Sequence, residues 1–243
     1  MLFEKYAADY ASFRPSYPAN LIGSLVKRFQ LDKNSLILDL ACGTGNLTRQ
    51  LQEKTHGQVF GFDFSIIMLK HNRESRIACA KAEALPVKAA LFDAVVVGQA
   101  FHWFEFASAL AEINRGLKPG GGLAIIWYRR KKPPTGHRLM MDELVKRYNP
   151  DFKPGFMDHD WRKIISAHGG FDNIDNFTTD CIYEYKISDY LKLQRSKSYI
   201  GDAMSPETLA KFMAEAESML KSMYLDNIVP EKMQYYYVSA VKT

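Results

Sequence analysis

Along the chain, short uninterrupted apolar runs alternate with stretches whose apolar residues recur at helical spacing. SLILDLAC (Ser35–Cys42) is apolar without alternation, the pattern of a strand covered on both faces. Gly43–Lys54 reads as a turn followed by a helix, and QVFGFDF (Gln58–Phe64) as a second strand with a helix after it to about Arg73. RIACAKA (Arg76–Ala82) is a third, short strand, and FDAVVVGQA (Phe92–Ala100) a fourth, followed by a helix over Ala107–Leu117. Lys118-Pro119-Gly120-Gly121-Gly122 stops that helix, and LAIIWYR (Leu123–Arg129) is a fifth strand. Strands separated by helix-length segments predict a parallel sheet with right-handed crossovers.

Beyond Arg129 the rhythm changes. Arg130–Ala167 is polar and carries Pro133, Pro134, Pro150 and Pro154, which predicts short helices and loops. Two β-rich segments, about Ile174–Ile187 and Met233–Lys242, bracket a helical insertion. Ser205-Pro206-Glu207 starts a helix: a cap residue, Pro in the first turn, then an early acid. Leu209, Phe212, Met213, Ala216, Leu220 and Met223 share one of its faces, which suits either a core or a pliable substrate lid.

Composition narrows the class. At 243 residues, ~150 residues per domain gives about 1.6 domains, and a chain this long can bury roughly 70% of its unfolded surface without a metal or disulfide staple. Hydrophobic residues at 47% and charged residues at 24% exclude disordered and fibrous classes. Cys42, Cys79 and Cys181 are odd in number and far apart, which fits a reducing, cytoplasmic compartment. The N-terminal stretch has charges where a signal peptide needs an apolar core. The longest strongly apolar stretch, Ala94–Phe104, is about half a membrane span. The net charge of +5 leaves anionic metabolites and nucleic acid both open.

The most informative segment is ILDLACGTGNL, Ile37–Leu47. A strand ending in small residues lets backbone N–H groups approach a ligand. Thr48 stands where the dinucleotide fingerprint needs a third Gly, and the P-loop Lys-Ser/Thr pair is absent. Asp63 ends the second strand, where a carboxylate can accept both hydroxyls of a ribose. Asp39, just before the loop, suits an ammonium group and has no use beside a pyrophosphate. Glu83, after the third strand, can accept from an adenine amino group. An amine, a ribose and an adenine without phosphate describe S-adenosylmethionine (SAM).

From Leu36 to Arg129 the ordered motifs ILDLACGTGNLT, VFGFDFS, AKAEALPV, FDAVVVGQAFHWF and GLKPGGGLAIIWY resemble those of class I SAM-dependent methyltransferases. The resemblance implies an α/β, Rossmann-like seven-stranded methyltransferase sheet, mostly parallel with an antiparallel last strand. Helices would cover both faces, with a helical lid as an insertion. It implies one domain over 1–243: an N-terminal arm and helix at 1–34, a SAM-binding core at 35–129, and substrate-side loops, lid helices and terminal strands at 130–243. SAM is the implied cofactor, S-adenosylhomocysteine its product, and no metal is called for. Ala41, Gly43 and Gly45 would line the methionine part, with Asp39 reaching its amino group through water. Asp63 would hold the ribose, Phe64 would flank the adenine, and Ala82 with Glu83 would meet its polar edge. Gln99 would close the methionine side. Cys42 reads as structural, since nothing near it in sequence activates a thiol.

The arm YAADYASFRPSYP (Tyr6–Pro18) paired with QAFHWF (Gln99–Phe104) resembles the methyltransferase-11-like group, which is broad in substrate and includes trans-aconitate methyltransferase and relatives that methylate carboxylates on small molecules. Arg14 offers a fork for the methionine carboxylate, or anchors the arm. Tyr6, Tyr10 and Tyr17 could cover the site or pack the core, and Tyr10 is assigned to the substrate side. His102 and Trp103 end a central strand where open α/β sheets bind ligands. His102 is the candidate catalytic residue, as a base for a hydroxyl or amine or as a donor to a carboxylate. Trp103 is a pocket wall or a core residue. Arg129, within the run Arg129–Lys132, and Arg195 are cations able to hold an acidic substrate, although a solvated loop explains the run equally. The expected partner is a small-molecule substrate, for which a carboxylic acid is one candidate, with no membrane; with no separate RNA-binding module, RNA methylation is the lesser alternative. Oligomeric state is not readable.

Overall fold

A computed structural model describes residues 15–130, 136–152 and 159–243. Seven strands form one sheet in the order β3-β2-β1-β4-β5-β7-β6, mostly parallel with one antiparallel strand. They are β1 (Leu36–Leu40), β2 (Gln58–Asp63), β3 (Ile77–Cys79), β4 (Phe92–Gly98), β5 (Leu117–Arg130), β6 (Phe171–Lys186) and β7 (Ile228–Lys242). β1 pairs in parallel with β2 on one side (Asp39 opposite Gly61) and with β4 on the other (Ile37 opposite Ala94). The order therefore reverses at β1, and the crevice at the carboxyl ends of β1 and β4 is where such sheets bind ligands.

The helices are α1 (Ala19–Arg28), α2 (Asn46–Thr55), α3 (Ile66–Lys70), α4 (Phe106–Gly116), α5 (His137–Tyr148), α6 (Trp161–Ala167), α7 (Ile187–Arg195) and α8 (Pro206–Met223). Local chemistry sets several starts. Ser65 accepts from the Met68 N–H, Glu105 from Ala107 and Ser108, Asp160 from Lys163, and Ser205 from Thr208, each contributing about 1 kcal/mol.

The chain divides into two compact units. One comprises residues 16–129, 159–180 and 234–243. Its core sets Leu38, Leu40, Val95, Val97, Leu123, Ile125 and Trp127 of the sheet against Leu110 and Ile113 of α4 and Ile165 of α6. Burying each such aliphatic side chain contributes about 1.5–3 kcal/mol. The opposite face lies close under other helices. A Cβ at Gly122 would meet the Phe29 ring beyond α1 at 2.2 Å, and one at Gly98 would meet Leu47 of α2 at 3.1 Å. Backbone has been brought in where no side chain fits.

The other unit comprises residues 1–15, 130–158 and 181–233. Leu209, Phe212, Ala216 and Leu220 of α8 pack with Leu144 and Val145 of α5 and Tyr190 and Leu191 of α7. The apolar stripe of α8 is thus core for its inner residues, while Met223 is exposed. Within this unit His137 Nδ1 lies 2.7 Å from the Tyr224 hydroxyl, and Arg138 Nε 3.3 Å from Glu231 Oε1.

Several strand limits differ from the pattern of apolar runs: β3 is confined to Ile77–Cys79, β6 begins at Phe171, and the largest differences are at β5 and β7. β5 begins at Leu117, because the Pro-Gly stretch is accommodated as a register irregularity against β4, where Phe92 faces Leu117 but Ala94 faces Gly122. β7 begins at Ile228, so Pro230 and Glu231 lie within a strand.

Candidate active site

The loop after β1 is organised around two carboxylates. Asp39 is buried, and the Thr48 hydroxyl, one turn into α2, donates to its Oδ2 at 2.6 Å. That bond explains why a threonine stands where a dinucleotide fold has glycine. Burial is the main cause lifting the Asp39 carboxyl to about 7, with the nearby Asp63 charge adding to it and the Thr48 bond opposing it. Asp63 accepts from the Gly43 N–H and the Ser65 N–H, both at 2.8 Å. Burial raises its pKa as well, opposed by those two amides. Asp63 is therefore fixed to the glycine loop by the loop's own backbone.

Ala41 adopts φ +61° and Gly45 φ +83°. For an L residue the left-handed region costs roughly 1–2 kcal/mol, so Ala41 holds strain where glycine would hold none. A Cβ on Gly45 would come within 2.5 Å of Asn72 Oδ1. Asn72, buried after α3, also donates to the Gly43 carbonyl at 3.1 Å and accepts from the Glu74 N–H. Cys42 is buried, and burial with the two neighbouring carboxylates pushes its thiol far up, so it is no nucleophile.

The residues expected on the adenine side follow β2 and β3. Phe64 is half exposed and Ala82 is buried. Glu83 accepts the Glu105 N–H at 3.0 Å, tying the loop after β3 to the start of α4. Gln99 ends β4 at φ +60°, its N–H donating to the Ile126 carbonyl. Its buried Nε2 has no hydrogen-bond partner among the described residues. Buried acids for an amine and a ribose, backbone cleared of side chains and a waiting amide together fit SAM.

The end of β4 runs into a short 3-10 turn, Phe101–Trp103. The His102 ring lies 4.6 Å from Trp103 and 5.0 Å from Trp127 of β5, centroid to centroid. Trp127 stacks on Trp161 at 5.4 Å, and Trp161 lies 4.8 Å from His159. Burial, then the neighbouring His159, lowers the His102 pKa to about 4, which keeps the imidazole neutral. Trp103 is 59% exposed, so it is not a core residue. Arg129, two residues beyond Trp127 on the same face, lies over the Tyr236 ring at 5.3 Å and donates from Nε to Gln234.

The site residues expected from sequence fall in three places. Asp39, Ala41, Gly43, Gly45, Asp63, Gln99, His102, Trp103 and Arg129 belong to the carboxyl side of one sheet. Arg195, in the last turn of α7, belongs to the other unit. Arg14 and Tyr10, with Tyr6 and Lys131–Lys132, lie outside the described residues. Tyr17 is described: Gln50 holds its main chain by two 2.8 Å bonds, and its hydroxyl occupies the space that a side chain at Gly98 would take. Sequence reasoning missed Thr48, Asn72, Trp127, His159 and Trp161. Only Thr48 carried a usable signal, as a hydroxyl one helical turn beyond an acid-bearing strand.

This sheet order with these acids defines a class I SAM-dependent methyltransferase. Residues 38–125 match the methyltransferase domain family. A methyltransferase of Schizosaccharomyces pombe, otherwise uncharacterized, is 36% identical over 226 residues, covering 91% of this chain and 88% of that protein. The trans-aconitate 2-methyltransferase of an Azoarcus species is 34% identical over 123 residues, 49% of this chain and 48% of its own. Among solved structures, a Haemonchus contortus phosphoethanolamine N-methyltransferase 2 bound to S-adenosylhomocysteine superposes with a TM-score of 0.54. It is 19% identical, and the match covers 99% of this chain and 56% of that one. Against several other relatives the chain spans only 48–66% of their length. The chain belongs to the SAM-dependent methyltransferase family.

Among the described residues, no helix is long and apolar enough to cross a membrane.

Proposed function

We propose that the protein transfers the methyl group of SAM to an oxygen of a small carboxylic acid. The observation that carries this reading is the setting of His102 against the rings of Trp103 and Trp127, where burial lowers its pKa to about 4 and makes it a weak proton acceptor at neutral pH. A carboxylate is already deprotonated and needs none. When bound at the β1 loop, SAM would supply an electrophilic sulfonium methyl; transfer to the carboxylate oxygen would leave the S–C electron pair on sulfur and give a thioether and a methyl ester. No proton moves, and the opposite charges of acid and sulfonium cancel.

The protein's part is then to hold, align and dry the reactants, worth about 7–11 kcal/mol when geometry is near attack. Asp39 would meet the ammonium through water, and Gly43 and Gly45 would line the methionine chain. Gln99 would close the methionine side and Asp63 would hold the ribose. Ala82, Glu83 and Phe64 would border the adenine, and Arg14 would hold the methionine carboxylate. Tyr10, Trp103, Arg129 and Arg195 would face the acceptor. The Azoarcus relative, named for its action on trans-aconitate, supports an acid acceptor.

The test is transfer of labelled methyl from SAM to a panel of aliphatic and aromatic carboxylic acids, with the product challenged by mild base. Label released as volatile methanol is the expected result, since esters hydrolyse and ethers or methylamines do not. Label on a phenol or an amine, with none on any acid, would overturn the reading.

A further inference from the structure

We propose that the indole N–H of Trp127 binds the acceptor, donating to the carboxylate oxygen that is not methylated. The inference rests on the carboxylate reading above. Trp127 is 7% exposed, and its Nε1 is buried without a hydrogen-bond partner among the described residues. Buried side-chain donors are ordinarily satisfied, and an orphan costs free energy in the ligand-free protein. Its ring neighbours explain no such need: Trp161 stacks on it at 5.4 Å and His102 lies tilted at 5.0 Å. A phenylalanine would fill the same stack and leave no donor stranded. The N–H is chemistry that packing does not use.

Its position gives it a use. Gly98 and Ile126 are paired in register at the end of β4, and the Gln99 N–H donates to the Ile126 carbonyl. Trp127 is thus the β5 residue beside the turn into Phe101–Trp103, at the carboxyl end of the sheet where the acceptor must sit. Arg129 stands two residues on along the same face. A neutral N–H and a neutral imidazole inside, with a guanidinium further out, suit an acid whose attacking oxygen must stay weakly held. A strong buried cation would hold the nucleophile back in the ground state, whereas the indole can bind the other oxygen and orient the carboxylate.

The test uses the full chain labelled with 15N at tryptophan, which gives three indole signals, since the sequence has three tryptophans. Trp103→Phe and Trp161→Phe assign the Trp127 signal by elimination, so no change at Trp127 itself is needed. Benzoate, citrate and trans-aconitate are each titrated into the protein saturated with S-adenosylhomocysteine. We expect a saturable downfield shift of the Trp127 indole proton with those acids that the labelled-methyl assay finds to be substrates. In Trp127→Phe, kcat/KM for such an acid should fall about 10- to 100-fold, the scale of one hydrogen bond to a charged group. That loss should lie in KM, with S-adenosylhomocysteine affinity unchanged. Acids that are turned over while the Trp127 signal stays fixed would overturn this proposal and leave the carboxylate reading standing. Absence of turnover with every acid would overturn both.

Discussion

The loop after β1 and the turn after β4 leave neighbouring parallel strands at the same end of the sheet, yet they are built from opposite materials. Around β1 the buried groups are two carboxylates tied down by a hydroxyl and by backbone N–H groups. Around β4 they are aromatic rings and a histidine kept neutral. Each side has one non-glycine residue in the left-handed region, Ala41 and Gln99. The difference teaches a division of labour. Under the proposed function the acid side would hold charge in reserve for a cationic ligand, and the ring side would exclude water and charge so that a weak nucleophile stays reactive.

The contrast can be broken hardest at Trp161. Replacing this buried, stacked ring by alanine should cost about 3–5 kcal/mol in urea unfolding, while calorimetry of S-adenosylhomocysteine on the folded protein shows the acid side intact. A matching loss of cofactor affinity would mean that the two sides are not separable. Gly45→Ala attacks the other side. It combines a left-handed backbone with contact against Asn72, and should cost about 2–4 kcal/mol, this time with weakened cofactor binding.

Thr48→Val removes the hydroxyl from Asp39 and should cost about 1–3 kcal/mol. It also shifts a pH dependence whose sign follows from burial. The Asp39 carboxyl sits near 7 in the folded protein and near 3.8 when unfolded, so the folded state keeps a proton that the unfolded state has lost. Stability of the ligand-free protein therefore falls as pH rises from about 4 to about 7. A cofactor ammonium favours the carboxylate, so affinity climbs over the upper part of that window and levels off above it. Calorimetry between about pH 5 and 8 should show this slope in the wild type. It should move to higher pH in Thr48→Val and vanish in Asp39→Asn.

Smaller effects refine the picture. With an acid acceptor, His102→Gln should lower kcat by less than about tenfold, against the 10²–10⁴-fold typical of a lost general base, and the rate profile should show no histidine titration near neutrality. A base-sized loss would reassign the chemistry to a hydroxyl or amine. Ala41→Gly should raise stability by about 0.5–1 kcal/mol and leave turnover unchanged, as thermal unfolding and a standard assay would register.

The two sides also differ in how far a reader of the sequence can go. The acid side is one local sentence: an apolar strand, small residues, a helix, and an acid at the end of the next strand. Asp39, Gly43, Gly45 and Asp63 announce themselves because their spacing is set by one βαβ unit. The ring side is assembled from remote pieces. His102 and Trp103 stand out after β4, but Trp127 reads as one more apolar strand residue. Trp161 and His159 lie in a stretch without periodicity. Likewise the five parallel strands were legible, whereas the true start of β5 hides behind Lys118-Pro119-Gly120, and β7 reaches back through a proline that normally argues against a strand. Pattern reports local repetition, and these features arise from contact between distant segments.

The close approach at Gly122 has a consequence for how this chain can change over time. Phe29 occupies the volume that any side chain at 122 would need, at 2.2 Å from its first atom. The two positions cannot drift independently: a residue larger than glycine at 122 becomes tolerable only after 29 has shrunk. Next door, Gly120 has nothing within 4 Å of an added Cβ, so only its backbone shape constrains it. Three consecutive identical letters should therefore diverge differently among descendants, the first sampling residues that accept a left-handed turn, the third changing only in step with a phenylalanine far away in the chain.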